Sequence, residues 1–193
     1  MGRIEAKTLK NVAQFLPAAT ALEVGTGFGY SSWWIAAGMA LGGSAKPWLT
    51  SLDSQSEGDL ADQGKAFAEA GAERLRLTHI VRYIVGNSPE DVEACLDGRT
   101  LDIAFIDGDH RGNQPLLDYC ALKGHMKKDA LLLLHDIDPR YSVGKAVAAA
   151  LEDGWSLVTL PTSCRLGACY KSVYAFDCFM SAFGDARRAS AQQ

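Results

Sequence analysis

The sequence predicts an α/β fold in which a doubly wound, mostly parallel sheet of seven strands carries helices on both faces. Short apolar runs alternate with longer amphipathic stretches, which is typical of repeated strand–helix–strand units. The runs Leu101–Ile106 and Ala130–Leu134 are almost wholly apolar, as strands inside a parallel sheet are. Glycine or acidic residues follow four of the predicted strands, at the edge where open α/β sheets bind their ligands.

The first half of the chain predicts three strands with helices before, between and after them. Apolar residues recur on one face of Ile4–Phe15, and Pro17 ends this first helix. The second and third helices are each expected to stop at a glycine, Gly42 and Gly71. The elements predicted after the first helix are the strand Ala21–Val24, the helix Tyr30–Leu41, the strand Trp48–Leu52, the helix Glu57–Ala70, the strand His79–Val85 and the helix Pro89–Leu96.

The second half of the chain predicts four more strands and two helices. In order, they are the strand Leu101–Ile106, the helix Pro115–Lys123, the strand Ala130–Leu134, the helix Ser142–Leu151 and the strands Trp155–Leu160 and Ala168–Phe176. Residues 184–193 are polar and predict a frayed tail. A single domain over residues 1–193 is therefore expected, with an N-terminal helical segment over residues 1–17.

Composition excludes several classes of partner. A net charge of −4 and an isoelectric point near 5.5 argue against binding to a nucleic-acid backbone, which requires a basic surface. No apolar run approaches the roughly 20 residues needed to span a membrane, and Met1–Lys10 lacks the apolar core of a signal peptide. The expected location is the cytoplasm. The five cysteines lack the spacing of a zinc site and are expected to be reduced.

A glycine-rich stretch follows the first predicted strand. Gly25, Gly27 and Gly29 carry no side chain, so the backbone amides around them, including that of Thr26, can approach a ligand closely. The helix that follows points its free N–H groups at the same place, which favours a negatively charged group there. Glu23 is a carboxylate within an apolar strand, where burial without a partner is costly. A cationic group on the ligand would relieve that cost.

Glycine-rich turns between a strand and a helix also bind dinucleotides, through the pattern Gly-x-Gly-x-x-Gly. Counted from Gly25 the last position of this pattern is Tyr30, and counted from Gly27 it is Ser32, so neither frame fits. An NAD-type oxidoreductase is therefore the second hypothesis. A module that binds its cofactor without catalysing a reaction is the third.

A second informative stretch, Phe-Ile-Asp-Gly-Asp-His, ends the fourth predicted strand. Asp107, Asp109 and His110 fall within four residues, and like charges this close resist joint ionisation unless a cation or proton lies among them. Asp136 follows the fifth strand near the same edge, and oxygen ligands from neighbouring strand ends suit a divalent cation such as Mg²⁺. An imidazole accepts protons near neutral pH, so His110 is a candidate general base. Alternatively, His110 and His135 only form hydrogen bonds with the neighbouring carboxylates.

The acid-x-Gly-x-Gly-x-Gly pattern resembles the first motif of class I S-adenosylmethionine-dependent methyltransferases, which have a Rossmann-like fold. The resemblance implies that the glycine loop faces the methionine part of the cofactor, with Glu23 near its ammonium group. It also implies that Asp53, at the end of the second strand, holds the ribose hydroxyls, because its two oxygens can accept from two adjacent hydroxyls. Asn87 and Ser88 correspond to the adenine-contacting position, and Asp107 is expected to border the cofactor.

The Phe-Ile-Asp-Gly-Asp-His element resembles a methyltransferase subgroup similar to the catechol- and caffeoyl-CoA-type O-methyltransferases. That resemblance implies a metal held by Asp107, Asp109 and Asp136, which orients a substrate hydroxyl, with Asp107 and His110 as catalytic residues. The chain departs from the catechol-type pattern at Ile137, where that pattern has asparagine directly after the second acid. The expected function is O-methylation of a small hydroxylated molecule, with nitrogen methylation and a metal-independent reaction left open. A homo-oligomer is expected because the chain has no long lid segment.

Overall fold

The computed structural model describes residues 1–55 and 60–191 of the chain, and these residues contain a single mixed seven-stranded sheet. Its strands are β1 (Thr20–Val24), β2 (Trp48–Asp53), β3 (Val81–Val85), β4 (Leu101–Ile106), β5 (Met126–Leu134), β6 (Ser156–Thr159) and β7 (Gly167–Tyr170). The helices are α1 (Arg3–Phe15), α2 (Tyr30–Leu41), α3 (Leu60–Arg74), α4 (Val92–Leu96), α5 (Gln114–Leu122), α6 (Val143–Glu152) and α7 (Val173–Ala191), with a short 3₁₀ turn at Lys123–His125.

The strands lie in the order β3-β2-β1-β4-β5-β7-β6. The first five strands of the chain are parallel, and β7 is antiparallel to both of its neighbours, β5 and β6. The chain fills one side of the sheet from β1 to β3 and then crosses to β4 on the other side of β1. This reversal between β1 and β4 is the switch point where open α/β sheets bind ligands.

Two apolar clusters cover the two faces of the sheet. Alternate residues of one strand enter different clusters: Ile103 and Phe105 pack on the face of α1, α2, α3 and α7, whereas Ala104 and Ile106 pack on the face of α4, α5 and α6. This alternation follows from the two-residue period of a strand. Both faces are covered, so the interior strands are mostly apolar, and the predicted doubly wound fold is confirmed.

The C-terminal region differs from the prediction. The last strand ends at Tyr170 rather than Phe176, and α7 covers residues 184–191 of the expected frayed tail, while residues 192–193 lie outside the described part of the chain. Buried apolar side chains recur along α7 at helical spacing, including Phe179 and Phe183, and α7 packs against α1. The predictions of a long last strand and a frayed tail were wrong because this apolar stripe fixes the helix.

The third helix also differs from the prediction. It continues through Gly71 to Arg74, and its expected start at Glu57 lies outside the described residues. A Cβ atom at Gly71 would overlap the indole of Trp33. Gly71 therefore allows close packing inside the helix rather than ending it. None of the helices that the structure describes has the length and hydropathy required to cross a bilayer.

Candidate active site

A cavity of about 390 Å³, which we call the edge cavity, opens where the carboxyl ends of β1 to β4 meet. Six of the residues predicted to bind the cofactor line it, Gly25, Gly27, Asp53, Asn87, Ser88 and Asp107, as does Asp109, a predicted metal ligand. Its volume falls within the range of roughly 300–1,000 Å³ that is typical of small-molecule sites. The fold therefore brings together residues that follow four different strands.

The glycine loop between β1 and α2 is pressed against the neighbouring strand ends. Gly25 has a φ of +98°, and a Cβ atom there would overlap the backbone carbonyl of Asp107. The Gly25 amide donates to the carbonyl of Leu52 at 2.8 Å, and the Asp107 amide donates to the carbonyl of Val24 at 2.9 Å. A side chain at Gly25 would separate β1 from the residues that follow β4, so this position requires glycine.

Asp53 connects the glycine loop to the end of β2. One carboxylate oxygen accepts the Gly27 amide at 2.8 Å, and the other accepts the Gln55 amide at 2.7 Å. A carboxylate has about four acceptor positions, so each oxygen retains capacity for a ligand hydroxyl. Asp53 therefore lines the edge cavity with its orientation already fixed by backbone amides.

Glu23 and Thr26 lie beneath the glycine loop rather than on the cavity wall. Glu23 is fully buried and accepts hydrogen bonds from the hydroxyls of Ser31 and Ser51. Burial raises the pKa of Glu23 to about 8, although both hydrogen bonds oppose the shift. Thr26 is also buried, with its hydroxyl 2.6 Å from that of Ser51. Gly29, the third glycine of the loop, precedes α2 as its N-cap.

The far end of the edge cavity contains two polar residues that the sequence analysis did not single out. The Gln114 amide group donates to the carbonyl of Ser88 at 2.6 Å and to Asp118 at 2.8 Å. Burial raises the pKa of Asp118 to about 6. Among the described atoms, Ser88 Oγ and Asp118 Oδ2 are buried without a hydrogen-bond partner of normal geometry. Only their i, i+4 spacing on α5 could have linked Gln114 and Asp118 in the sequence.

Three potential metal ligands meet beside the edge cavity: Asp107, His110 and Asp136, which we call the carboxylate–histidine group. Their ligand atoms lie within 4.8 Å of one another. His110 Nε2 is 3.8 Å from Asp107, and Nδ1 is 3.8 Å from Asp136. The Nε2 atom is buried without a hydrogen-bond partner among the described residues. Two carboxylates and an imidazole with an unused nitrogen form a suitable donor set for a divalent cation.

The structure does not bring Asp109, a predicted metal ligand, into this group. Its carboxylate binds the Arg111 guanidinium through contacts of 2.8 and 3.1 Å and accepts the Arg111 amide at 2.9 Å. These hydrogen bonds lower the pKa of Asp109. Its neighbour His110 lies in the group instead, because it faces both Asp107 and Asp136. Ile137 packs on the core cluster of the α4–α6 face and offers no ligand atom.

His135 lies beneath the carboxylate–histidine group with only 4% of its side chain exposed. Its Nδ1 atom is 2.9 Å from Asp107 and 3.3 Å from Asp136. Its Nε2 atom is 3.7 Å from the carboxylate of Glu5, in the first turn of α1. Burial would lower the pKa of His135, but the contacts with Asp107 and Glu5 outweigh it and raise the pKa to about 10. His135 is therefore an imidazolium at neutral pH.

Glu5 is the other functional residue that the sequence analysis missed. Burial would raise its pKa, but the contacts with His135 and Thr162 and the hydrogen bond from the Gly2 amide lower it to about 2. The Gly2 amide donates to Glu5 at 2.6 Å and the Cys164 amide donates at 3.1 Å. In the sequence, an acid in the first turn of a helix indicates no more than favourable capping. Its contact with His135 requires the fold.

The fold and the edge cavity together define a class of protein. A glycine loop at the switch point of an open α/β sheet, with a fixed carboxylate at the end of β2, is the arrangement of a nucleotide- or nucleoside-cofactor enzyme. The family model described as "Methyltransferase domain" matches residues 22–137, more than half of the chain. The chain belongs to this methyltransferase family. The prediction of an S-adenosylmethionine-dependent methyltransferase is thereby confirmed in preference to an NAD-type oxidoreductase.

Solved structures with the same fold include three described as O-methyltransferases. A putative caffeoyl-CoA O-methyltransferase from Staphylococcus aureus is 16% identical with a TM-score of 0.71, over 89% of this chain and 85% of that chain. The O-methyltransferase from Bacillus cereus in complex with SAH is 20% identical with a TM-score of 0.68, over 89% and 82%. TomG from Streptomyces achromogenes, in complex with SAM, is 16% identical with a TM-score of 0.68, over 88% and 80%. No curated protein matches the chain by sequence.

Proposed function

We propose that this protein transfers the methyl group of S-adenosylmethionine to a hydroxyl oxygen of a small molecule, assisted by Mg²⁺ or another divalent cation. The carboxylate–histidine group carries the proposal, because it places two carboxylates and an imidazole next to the edge cavity. Nitrogen acceptors have less need of such a group, since an amine is nucleophilic without a metal-lowered pKa. The three solved O-methyltransferases share the fold and are consistent with this choice.

In this proposal the edge cavity holds the nucleoside part of the cofactor. Asp53 accepts the ribose hydroxyls, while Asn87 and Ser88 contact the adenine. Ser88 Oγ and Asp118 Oδ2 support this placement, because the contact between these two side chains gives neither atom a hydrogen bond of normal geometry, and polar adenine atoms would satisfy them. Both belong to residues on the cavity wall.

The glycine loop from Gly25 to Gly29 faces the methionine part. Glu23 and Thr26 hold the underside of this loop through Ser31 and Ser51. They support the cofactor site from beneath rather than by a direct hydrogen bond. The backbone of Asp107, which fixes the loop at Gly25, completes this side of the cavity.

The reaction is an in-line displacement. The acceptor oxygen forms a bond to the methyl carbon while the carbon–sulfur bond breaks, and its electron pair goes to sulfur, which gives S-adenosylhomocysteine. We assign the hydroxyl proton to His110. Both nitrogens of His135 face carboxylates, those of Asp107 and Glu5, whereas His110 Nε2 has no hydrogen-bond partner among the described residues.

Asp107 and Asp136 are the proposed metal ligands, with His110 beside them. A bound divalent cation would lower the pKa of the acceptor hydroxyl and fix its direction. The protein itself holds both carboxylates in place, because His135 contacts each of them from below. Orientation of this kind contributes several kcal/mol to catalysis of bimolecular reactions.

The first test is calorimetry with S-adenosylhomocysteine, with and without Mg²⁺, followed by methyl transfer to a panel of hydroxylated molecules and matched amines. We expect cofactor binding and transfer to hydroxyl acceptors that a chelator suppresses. Transfer to amines alone would overturn the O-methylation assignment, and full activity after chelation would overturn the metal. Tight binding with no transfer to any acceptor would support a cofactor-binding module instead.

The second test concerns His110. We expect His110→Ala to keep its affinity for S-adenosylhomocysteine while kcat falls by about 100-fold, as is typical of a lost general base. His79→Ala is the control, because His79 is exposed and remote from the site. Normal turnover by His110→Ala would show that the base is elsewhere, and weaker binding of Mn²⁺ would make His110 a ligand instead.

We further propose a cytoplasmic location and a homo-oligomeric state, with a small molecule rather than a nucleic-acid backbone as the acceptor. The net charge of −4 supports the choice of acceptor. Oligomerisation would complete a substrate pocket that this short chain covers incompletely. Size-exclusion chromatography with light scattering measures the oligomeric state, and a strict monomer would overturn the proposed homo-oligomer.

A further inference from the structure

A second cavity, which we call the α1 cavity, lies between the first turn of α1, the loop after β6 and the helix α7. It has a volume of about 540 Å³, and its wall includes Arg3, Glu5, Pro161, Phe183 and Arg187. This volume suits a small organic ligand, for which roughly 300–1,000 Å³ is typical. None of the residues that line the edge cavity, where the cofactor is proposed to bind, lines the α1 cavity.

The α1 cavity is connected to the carboxylate–histidine group through one side chain. Glu5 lines the α1 cavity and contacts one nitrogen of His135, whose other nitrogen contacts Asp107 on the wall of the edge cavity. An acceptor must approach the methyl carbon from the side opposite to the sulfur. The α1 cavity thus lies next to the carboxylate–histidine group, across the buried Glu5–His135 pair.

The two arginines of the α1 cavity have no carboxylate partner among the residues that the structure describes. Most other arginines of the chain do, as shown by ion pairs at Arg99, Arg111, Arg140, Arg165 and Arg188. Arg74, Arg76 and Arg82 also lack a carboxylate partner in the described part of the chain, but they line neither cavity. Arg187 contacts the ring of Phe183, so its guanidinium lies against an apolar part of the wall.

The single acid of this wall does not neutralise the two arginines. The Glu5 carboxylate is engaged by His135 and by the backbone amides of Gly2 and Cys164. The remaining wall combines two guanidinium groups with apolar contributions from Ile4, Pro161 and Phe183. Arginine favours planar oxyanions, which can take two parallel hydrogen bonds from one guanidinium.

We propose that the α1 cavity binds the anionic end of the methyl acceptor, a carboxylate or similar oxyanion, with Arg3 and Arg187 as its hydrogen-bond donors. Its assignment to an acceptor rests on the methyltransferase function proposed above. The acceptor class is then a small hydroxylated acid with an apolar body rather than a neutral phenol or alcohol.

The test compares 3,4-dihydroxybenzoate with 3,4-dihydroxybenzamide, which have nearly the same shape and differ in charge. Their dissociation constants are measured by NMR titration on the full chain saturated with S-adenosylhomocysteine. We expect the acid to bind about tenfold more tightly than the amide, as a charge-assisted hydrogen bond of about 1.4 kcal/mol predicts. Arg3→Gln and Arg187→Gln should each reduce this preference.

Arg188→Gln is the matched control, because Arg188 neighbours Arg187 on α7 but pairs with Asp185 and does not line the cavity. Equal affinity for acid and amide, or a preference that survives in the Arg3→Gln/Arg187→Gln double variant, would overturn the proposal. An error in the proposed methyltransferase function would be recognised by a different result. An arginine-dependent preference in a protein that never binds S-adenosylhomocysteine would overturn the assignment to a methyl acceptor and leave an anion site.

Discussion

Glu5 in the first turn of α1 and His135 after β5 form a buried ion pair across 3.7 Å. The pair connects the N-terminal helix to the carboxylates of the candidate active site, because the other nitrogen of His135 lies 2.9 Å from Asp107. The first helix is therefore part of the site's support rather than a peripheral addition. Both side chains are nearly inaccessible to water, so replacement of Glu5 removes one of the carboxylates that balance the buried charge of His135.

We expect Glu5→Gln to lower the free energy of unfolding by about 3 kcal/mol near pH 6, the usual cost of breaking a buried pair. The pKa of Glu5 falls from 4.5 to about 2 on folding, so its contribution is present above pH 4.5 and is lost toward pH 2. The pKa of His135 rises from 6.5 to about 10, so its contribution is complete below pH 6.5 and is lost as the pH rises through 10.

Urea unfolding of both proteins at several pH values checks this prediction. The difference between wild type and Glu5→Gln should be largest between about pH 4.5 and 6.5 and should shrink on both sides. Glu90→Gln is the control, because Glu90 is exposed. A difference that stays constant from pH 3 to pH 10 would show that the two charges do not interact as described.

Asp53→Ala should weaken binding of S-adenosylhomocysteine by about 100-fold, because a charged acceptor of ligand hydroxyls is lost and each such bond is worth about 1.5–3 kcal/mol. The Gly27 amide would also lose its partner. Calorimetry measures the effect, with the exposed residue Asp129 replaced by alanine as the control. An unchanged affinity of Asp53→Ala for S-adenosylhomocysteine would show that the cofactor does not bind at this end of the edge cavity.

Gly25→Ala should destabilise the fold and abolish cofactor binding together. The new Cβ would overlap the Asp107 carbonyl at a backbone φ of +98°, and strain of this kind costs about 1–3 kcal/mol. Thermal unfolding and cofactor calorimetry measure the two effects. Gly124→Ala is the control, because a Cβ at Gly124 meets no atom within 4 Å. Equal stability of the two variants would contradict the tight approach of β1 and β4.

Asp136→Ala and Asp109→Ala test two alternative sets of metal ligands. Asp136 belongs to the group of side chains that the fold brings together, whereas Asp109 is a ligand only by the resemblance of the motif. We expect Asp136→Ala to reduce the affinity for Mn²⁺ by at least about tenfold, a typical effect of changing a metal site's immediate environment. Asp109→Ala should leave that affinity unchanged, since Asp109 binds Arg111 instead. Titration followed by electron paramagnetic resonance distinguishes these outcomes. A larger loss in Asp109→Ala would restore the ligand set expected from the motif.

The period of the apolar residues predicted most of the sheet. The predicted bounds of β4 and α2 agree residue for residue with the structure, because each is a largely apolar segment followed directly by an acid or a glycine. The last helix was not predicted, because its first residues, Val173–Phe176, are equally compatible with the strand that was predicted there. Only the burial of Phe179 and Phe183 in the core, four residues apart, shows that this segment is a helix.

The sequence predicted part of the candidate site as well. The chain order of β1, β2 and β4, with an acid or glycine at each end, determined that Gly25, Asp53 and Asp107 would share one edge, because parallel strands end on the same side. The sequence by itself therefore determined the class of fold and the sheet edge at which the edge cavity opens.

Only the tertiary structure decided which neighbouring groups touch. It turned Asp109 toward Arg111, placed His110 between Asp107 and Asp136 and brought Glu5 to His135. Adjacent residues in a loop can point in different directions, and contacts between distant segments depend on how helices pack on the sheet. Neither the direction of a loop side chain nor a contact between distant segments produces a periodic pattern or a fixed spacing in a single sequence.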